Sequence, residues 1–387
     1  MRLTLFLCTI FIGSFVCHAG EIACWGDDTF GETTPPTGSD YIAISAGYKF
    51  SLALKEDGTC VGWGYDGSGQ ATPPEGESFQ AISAGYSFSL GLRTDGSLTG
   101  WGYNAAGQTT VPSGSDYVAV SAGDNHGVAI DGDGALIAWG DNGVHQTEVP
   151  EGSDYVAVKA SRNFSVAMHA DGTLEVWGMN ADVYLMPPSG SYIDFAVGKT
   201  WGVALRADGT LVGWGPNNDV VDNVPAGDGF VSVAGGRMFC LAIDDTGRLW
   251  HWGEDAQGQD DFPTSTGWEA IAGHQYHGMA LGMVDCNNNG VSDETDIEDG
   301  TSIDANPADG IPDECQGLPV GGCCLLHGLC VKSTEVDCDD VEGFWAGEGV
   351  DCDVAPCIEE CSSDLDGSGE VDIEDMLEVI AAWGSCP

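Results

Sequence analysis

Two stretches of the chain space oxygen-bearing side chains in the way a hard cation requires. In DLDGSGEVDIED, Asp364, Asp366, Ser368, Asp372 and Asp375 stand at positions one, three, five, nine and twelve of a loop. Gly369 holds the sharp turn at six, and Glu370 at seven offers its backbone carbonyl. Calcium takes about six to eight such oxygens, and alternate residues of a tight loop can converge on it. The next residues, Ile373, Met376, Leu377, Ile380 and Trp383, share one helical face. A second stretch, DCNNNGVSDETD, gives Asp285, Asn287, Asn289, Asp293 and Asp296 the same positions, with Gly290 at six. Its twelfth residue is Asp, shorter than the usual Glu. A third, DANPADGIPDEC (304–315), carries one extra residue between Asn306 and Asp309. Calcium is the cofactor these loops predict. The competing account is an acidic, solvated loop ahead of a helix.

A second chemistry comes from counting cations. The chain has 11 Lys and Arg against 61 Asp and Glu, a formal charge of −50. Arg2 belongs to the N-terminal leader. Of the other ten, four fall in one recurrent two-residue turn: Lys49, Arg162, Lys199 and Arg237. The same turn carries Tyr48, Tyr86, Asp124, Asn125, Asn163 and Tyr276. Tyr and Arg are the residue types enriched at binding hot spots. This turn is therefore a candidate partner-binding rim of Tyr48, Lys49, Tyr86, Arg162, Lys199, Arg237 and Tyr276. The competing account is that charged residues simply occupy exposed turns.

The turn is recurrent because the chain is a repeat. A Trp-Gly pair begins at Trp25, Trp63, Trp101, Trp139, Trp177, Trp214 and Trp252, at spacings of 38, 38, 38, 38, 37 and 38 residues. Each unit reads as four short strands. In one unit these are QAISAG, FSLGL, SLTGWG and a weaker GQTTVP that ends in proline. Asp57-Gly58, Asp95-Gly96, Asp133-Gly134, Asp171-Gly172 and Asp208-Gly209 supply tight hairpins. Such units predict an all-β, seven-bladed β-propeller. The N-terminal EIACWG is only a third strand, and WEAIAGHQYHGMALG only a first and second. One blade is thus expected from both ends, leaving no open edge. A column of Phe50, Phe88, His126, Phe164, Trp201, Phe239 and His277 is expected to fill the blade interiors. Gln70, Gln108, Gln146 and Gln259 form another column, expected to satisfy loop backbone groups. That column fails at MNADVYLMPP and PNNDVVDNVP, through degeneration or because a partner shapes that sector.

The AG…S-L-A-L…DG…WG…GQ…VP pattern, over residues 21–284, resembles the regulator of chromosome condensation repeat family. It is most similar to bacterial secreted members of the β-lactamase inhibitor protein II type. That resemblance implies protein binding through one face of the ring. The 285–316 loops resemble the Asp/Asn-rich calcium repeats of thrombospondin type 3 proteins. The 364–375 loop with its following helix is similar to a dockerin or EF-hand, which implies docking to a cohesin-like or cell-surface protein.

Arg2, the apolar Leu3–Val16 run and Cys17-His18-Ala19 read as a secretory signal peptide over residues 1–19. Secretion is the expectation, and no later apolar run is long enough to span a membrane. So acidic a surface is a poor fit to nucleic acid. Ten of the 15 cysteines crowd between Cys286 and Cys386, a density that in an exported chain predicts disulfides. Cys240 falls where other units have Ser or Gly and is expected to be a buried thiol. The divisions that follow are a propeller at 20–284, calcium-loop segments at 285–316, a cysteine-rich module at 317–361 and a dockerin- or EF-hand-like end at 362–387. No paired carboxylates or nucleophile motif stand out from the columns. A non-enzymatic secreted binding protein is the leading reading. The alternatives are a polysaccharide-degrading enzyme attached through the dockerin-like module, or an inhibitor of a cell-wall enzyme.

Overall fold

The computed structural model describes residues 20–179, 185–216 and 219–282, and the backbone of 321–325, 330–333 and 343–348. It divides into two compact units, Met1–Met283 and Val284–Pro387. Among the described residues the first unit consists of antiparallel three-stranded sheets, seven in number. The inner strands are Tyr41–Ala46, Phe79–Ala84, Tyr117–Ala122, Tyr155–Ala160, Asp194–Val197, Phe230–Gly235 and Trp268–His274. Each turns back into a middle strand, such as Phe50–Lys55 or Phe88–Arg93, and then an outer one, such as Cys60–Gly64 or Leu98–Gly102. Middle strands are covered on both faces by neighbouring sheets, so they read as continuous apolar runs (FSLAL, FSLGL) rather than alternating ones.

The sheets form a ring, and core clusters bridge neighbours. Phe50, Leu52 and Leu54 pack with Phe79, Ala84 and Trp101 of the next sheet. Hydrogen bonds tie the same joints. Trp101 Nε1 donates to the Gln70 carbonyl at 2.9 Å, and Trp139 and Trp177 repeat this to the carbonyls of Gln108 and Gln146. Nearer the axis, the Ser45, Ser83 and Ser121 hydroxyls each accept a 2.9 Å bond from the backbone of the following inner strand. The ring closes as expected: Glu21–Gly26 pairs with His277–Gly282, which pairs with Trp268–His274. Trp25 Nε1 reaches the Gln259 carbonyl at 2.8 Å across the closure. The architecture is a β-propeller.

The Asp-Gly hairpins form as read. Gly58 has φ +83°, and Asp57 Oδ1 accepts from both the amide and the hydroxyl of Thr59. The Phe/His/Trp column is buried throughout, and Cys240 is a fully buried thiol whose pKa burial pushes well up. The fourth strand is a correction. GQTTVP makes turns, not a strand. Asn104 Oδ1 captures the Thr109 amide, Gln108 Oε1 captures the Ala106 amide, and Gly107 sits at φ +82°. Local side-chain partners leave no backbone ladder to build. In the irregular sector a short helix, Asp219–Asp222, takes the place of the loop. The buried Val220 there supplies the carbonyl that Trp252 Nε1 requires, at 3.0 Å.

The described part of the second unit is one sheet. Gly321–Leu325 lies between Cys330–Ser333 and Gly343–Glu348, with Cys324 in register opposite Cys330. The calcium-loop residues Asp285, Asn287, Asn289, Asp293, Asp296, Asp364, Asp366, Ser368, Glu370, Asp372 and Asp375 lie outside the described residues, as does the leader. No described helix is long and apolar enough to cross a membrane.

Candidate binding mouth of the axial cavity

Inner strands of the ring end in small residues (Ala46, Ala84, Ala122, Ala160), and this leaves an axial cavity of about 810 Å³. The turn after each inner strand forms its mouth. These turns are fixed by their neighbours: Tyr48 N donates to Gly85 O, Tyr86 N to Gly123 O, Asp124 N to Ser161 O and Lys199 N to Arg237 O, at 3.1–3.3 Å. One position of this turn lines the mouth in every repeat. In order its residues are Tyr48, Tyr86, Asp124, Arg162, Lys199, Arg237 and Gln275, and all line the cavity.

The ring of turns is polarised. On one side Tyr48 and Tyr86 stack at 4.1 Å with 11° between their planes. Lys49 does not line the cavity. It adopts φ +62° and lays its ammonium over Tyr48 at 5.5 Å and Phe30 at 4.6 Å. Phe30 meets Tyr65 edge-on at 4.9 Å, and Tyr65 and Tyr103 border the cavity. Phe30, Tyr65 and Tyr103 are 44%, 39% and 45% exposed, high for aromatic side chains. On the other side stand Arg162, Lys199 and Arg237. Arg237 Nη1 donates to the Tyr276 hydroxyl at 2.5 Å, which places Tyr276 beside the mouth rather than in its lining.

Asp124 faces the cations, its carboxylate 3.7 Å from Arg162 Nε. Burial pushes its carboxyl up to about 6, against the opposing pull of Arg162, Arg237 and Lys199. Burial, with the Tyr48 hydroxyl and Asp124, pushes the Tyr86 phenol up to about 12. One further cation, Lys159, lies deeper in the wall and is paired to Asp194 at 3.2 Å.

The structure thus brings Tyr48, Tyr86, Arg162, Lys199 and Arg237 together at one mouth and sets Lys49 and Tyr276 just behind it. The residues not foreseen are Phe30, Tyr65 and Tyr103, which enter from the loop after the outer strand. Their only sequence mark is that Tyr65 and Tyr103 stand two residues past a repeat Trp. Histidine–serine pairs occur elsewhere: His126 Nε2 is 2.8 Å from Ser165 Oγ, and His277 Nε2 is 3.0 Å from Ser51 Oγ. All four side chains are sealed in the core, and burial pushes both imidazoles down to about 4. They are packing devices, as their column predicts. Among the described residues no cluster of His, Cys, Asp or Glu is arranged to hold a metal.

Residues 41–70, 79–108 and 117–146 match the model of the Regulator of chromosome condensation (RCC1) repeat. The chain carries RCC1-like repeats. Its structure is similar to that of Prp20p from Saccharomyces cerevisiae, a protein described with binding properties to Gsp1p and histones. The two are 18% identical with a TM-score of 0.56, over 68% of this chain and 92% of that one. Yeast RCC1 (Prp20) bound to Kap60 gives a TM-score of 0.57 at 16% identity, over 77% of this chain and 99% of that one. The CRINKLY WD40 ectodomain of the Arabidopsis thaliana receptor kinase ACR4 gives 0.51 at 20% identity, over 61% and 91%. At these identities the likeness carries the fold alone. No curated protein matches the chain in sequence.

Proposed function

We propose that the chain is a secreted, non-enzymatic binding protein. Its seven-bladed, RCC1-like propeller takes a protein partner on the mouth of the axial cavity. Its C-terminal region is a calcium-stabilised docking segment that engages a cohesin-like or cell-surface protein. The observation that carries this reading is the mouth itself. Exposed aromatics and three cations converge on one end of an otherwise anionic ring, while the His126–Ser165 and His277–Ser51 pairs are buried. Aromatic and Arg anchors around a concavity are what a desolvated hot spot needs. Recognition of the RCC1 kind agrees with this reading. Calcium rests on the residue spacing at 364–375 and 285–296, and secretion on the leader.

The test uses the full chain immobilised against secreted and cell-envelope fractions. The double variant Tyr65→Ser/Tyr103→Ser should lose a retained partner, and Asp57→Asn/Asp95→Asn, at the opposite ends of the sheets, should keep it. Loss with the hairpin variant alone would move the binding surface to the other face.

A further inference from the structure

The mouth holds more positive charge than its own surroundings balance. Lys159, within the wall, has Asp194 to itself, and that carboxylate is further satisfied by the Val233 amide at 3.0 Å. Arg162, Lys199 and Arg237 instead share Asp124, whose ion pair is the loose 3.7 Å approach to Arg162. In a chain of formal charge −50, three cations on successive turns against the one carboxylate among the residues lining the cavity leave a positive centre at its mouth. Arg162 is also half exposed, its side chain 51% accessible, so its guanidinium fork can take a second acceptor.

From this geometry we infer that the mouth is a carboxylate-reading subsite: Arg162, Lys199 and Arg237 take the acidic side chains of an extended segment of the protein partner. Asp124 is the resident stand-in that such a carboxylate displaces or joins. The inference rests on the protein-binding reading above and names its chemistry. Guanidinium forks bind carboxylates through paired hydrogen bonds, and the aromatic side of the mouth covers the apolar part of the same segment. The aromatic geometry favours a peptide over an acidic polysaccharide. Sugar stacking needs free ring faces. Here Tyr48 has one face on Tyr86 and Lys49 lies over its ring, while Phe30 is capped by Lys49 and met by Tyr65. Tyr48, Tyr86 and Phe30 thus have faces already occupied, and Tyr103, 45% exposed, offers a single ring rather than a stacking platform.

The experiment is fluorescence anisotropy with the full chain. The probes are a labelled peptide of repeated Glu-Glu-Tyr, its Gln-Gln-Tyr counterpart and a labelled oligogalacturonate. The Glu peptide should bind about tenfold or more tightly than the Gln peptide, with an affinity that falls as salt rises. Arg162→Met/Lys199→Met/Arg237→Met should lower that affinity about tenfold or more, and Asp124→Asn should raise it several-fold. A thermal melt monitors folding of the triple variant. If it is destabilised, the exposed Arg162→Met alone should still cost about threefold. Equal affinity for the Glu and Gln peptides would overturn the inference. So would an unchanged affinity in Arg162→Met, or binding of the oligogalacturonate without the peptide. If the triple variant keeps a partner that Tyr65→Ser/Tyr103→Ser loses, the carboxylate subsite fails while the binding face stands.

Discussion

His126 and His277 occupy a column that Phe or Trp fills in the other repeats, and the consequence is a built-in acid sensitivity. Burial holds both imidazoles neutral, at about 4 rather than the ordinary value near 6.5. A histidine whose folded pKa is depressed contributes stability in full above its unfolded value. That contribution is lost as pH falls through the window between about 6.5 and about 4. His126→Phe restores the residue of the neighbouring columns and removes one titrating group. The slope of melting temperature against pH over that window should therefore become shallower, while stability at neutral pH changes by about 1–2 kcal/mol through the lost Ser165 bond. Asp124 has the opposite sign. Its raised carboxyl costs stability as pH climbs through about 6, so Asp124→Asn should be no less stable than wild type at pH 7.5, with the difference closing below about pH 4. These residues also mark what could be read from the chain alone. The cations of the turn stand out by rarity and period. Asp124 occupies the same column, but its importance comes from facing three cations across the ring, which no local pattern encodes.

Among the elements, the joint between sheets is the unit of construction. The outer strands run into Trp-Gly: the indoles of Trp25, Trp63, Trp101, Trp139, Trp177 and Trp252 reach back to a carbonyl of the preceding repeat, and the glycine lets the chain pass close under the start of the middle strand of its own sheet. Gly102 has φ +94°, and a Cβ there would stand 2.9 Å from the Phe88 Cα and the Ser87 carbonyl. Gly102→Ala should cost about 2 kcal/mol or more by chemical denaturation, through both strain and clash. Trp101→Phe, which leaves the Gln70 carbonyl without its indole donor, should cost about 1–3 kcal/mol. Period and hairpin signals made three strands of every unit legible. The fourth is not, because GQTTVP has strand-like residues but is preceded by Asn104, whose side chain, with that of Gln108, satisfies the backbone that a ladder would have used. The irregular sector kept its packing by other means. Val220 replaces the Gln carbonyl from a helical turn, a substitution visible only once the neighbouring Trp252 is in place.

For the whole molecule, closure by the two ends is the feature on which cooperativity depends. Removing residues 20–26 would leave the His277–Gly282 strand with a free edge and the Gln259 carbonyl without Trp25. Such an edge invites pairing with another copy. The truncated chain should form dimers or aggregates in size-exclusion chromatography and lose a single sharp melt. The C-terminal unit is expected to respond to a different variable. If the 364–375 and 285–296 loops hold calcium, chelation should lower or abolish a transition belonging to residues 284–387 and leave the propeller's melt unchanged. The charge distribution gives the chain its direction: a strongly acidic body with one cationic, aromatic mouth should steer an acidic partner segment to that end and repel it elsewhere. The most direct measurement of that claim is site-specific photo-crosslinking in the full chain, with a benzophenone side chain placed at Tyr103, beside the mouth, and separately at Asp95, in the hairpin at the other end of the same sheet. A single protein species crosslinked from position 103 and absent from position 95 is the predicted result. Crosslinking from 95 alone, or equally from both, would contradict the account.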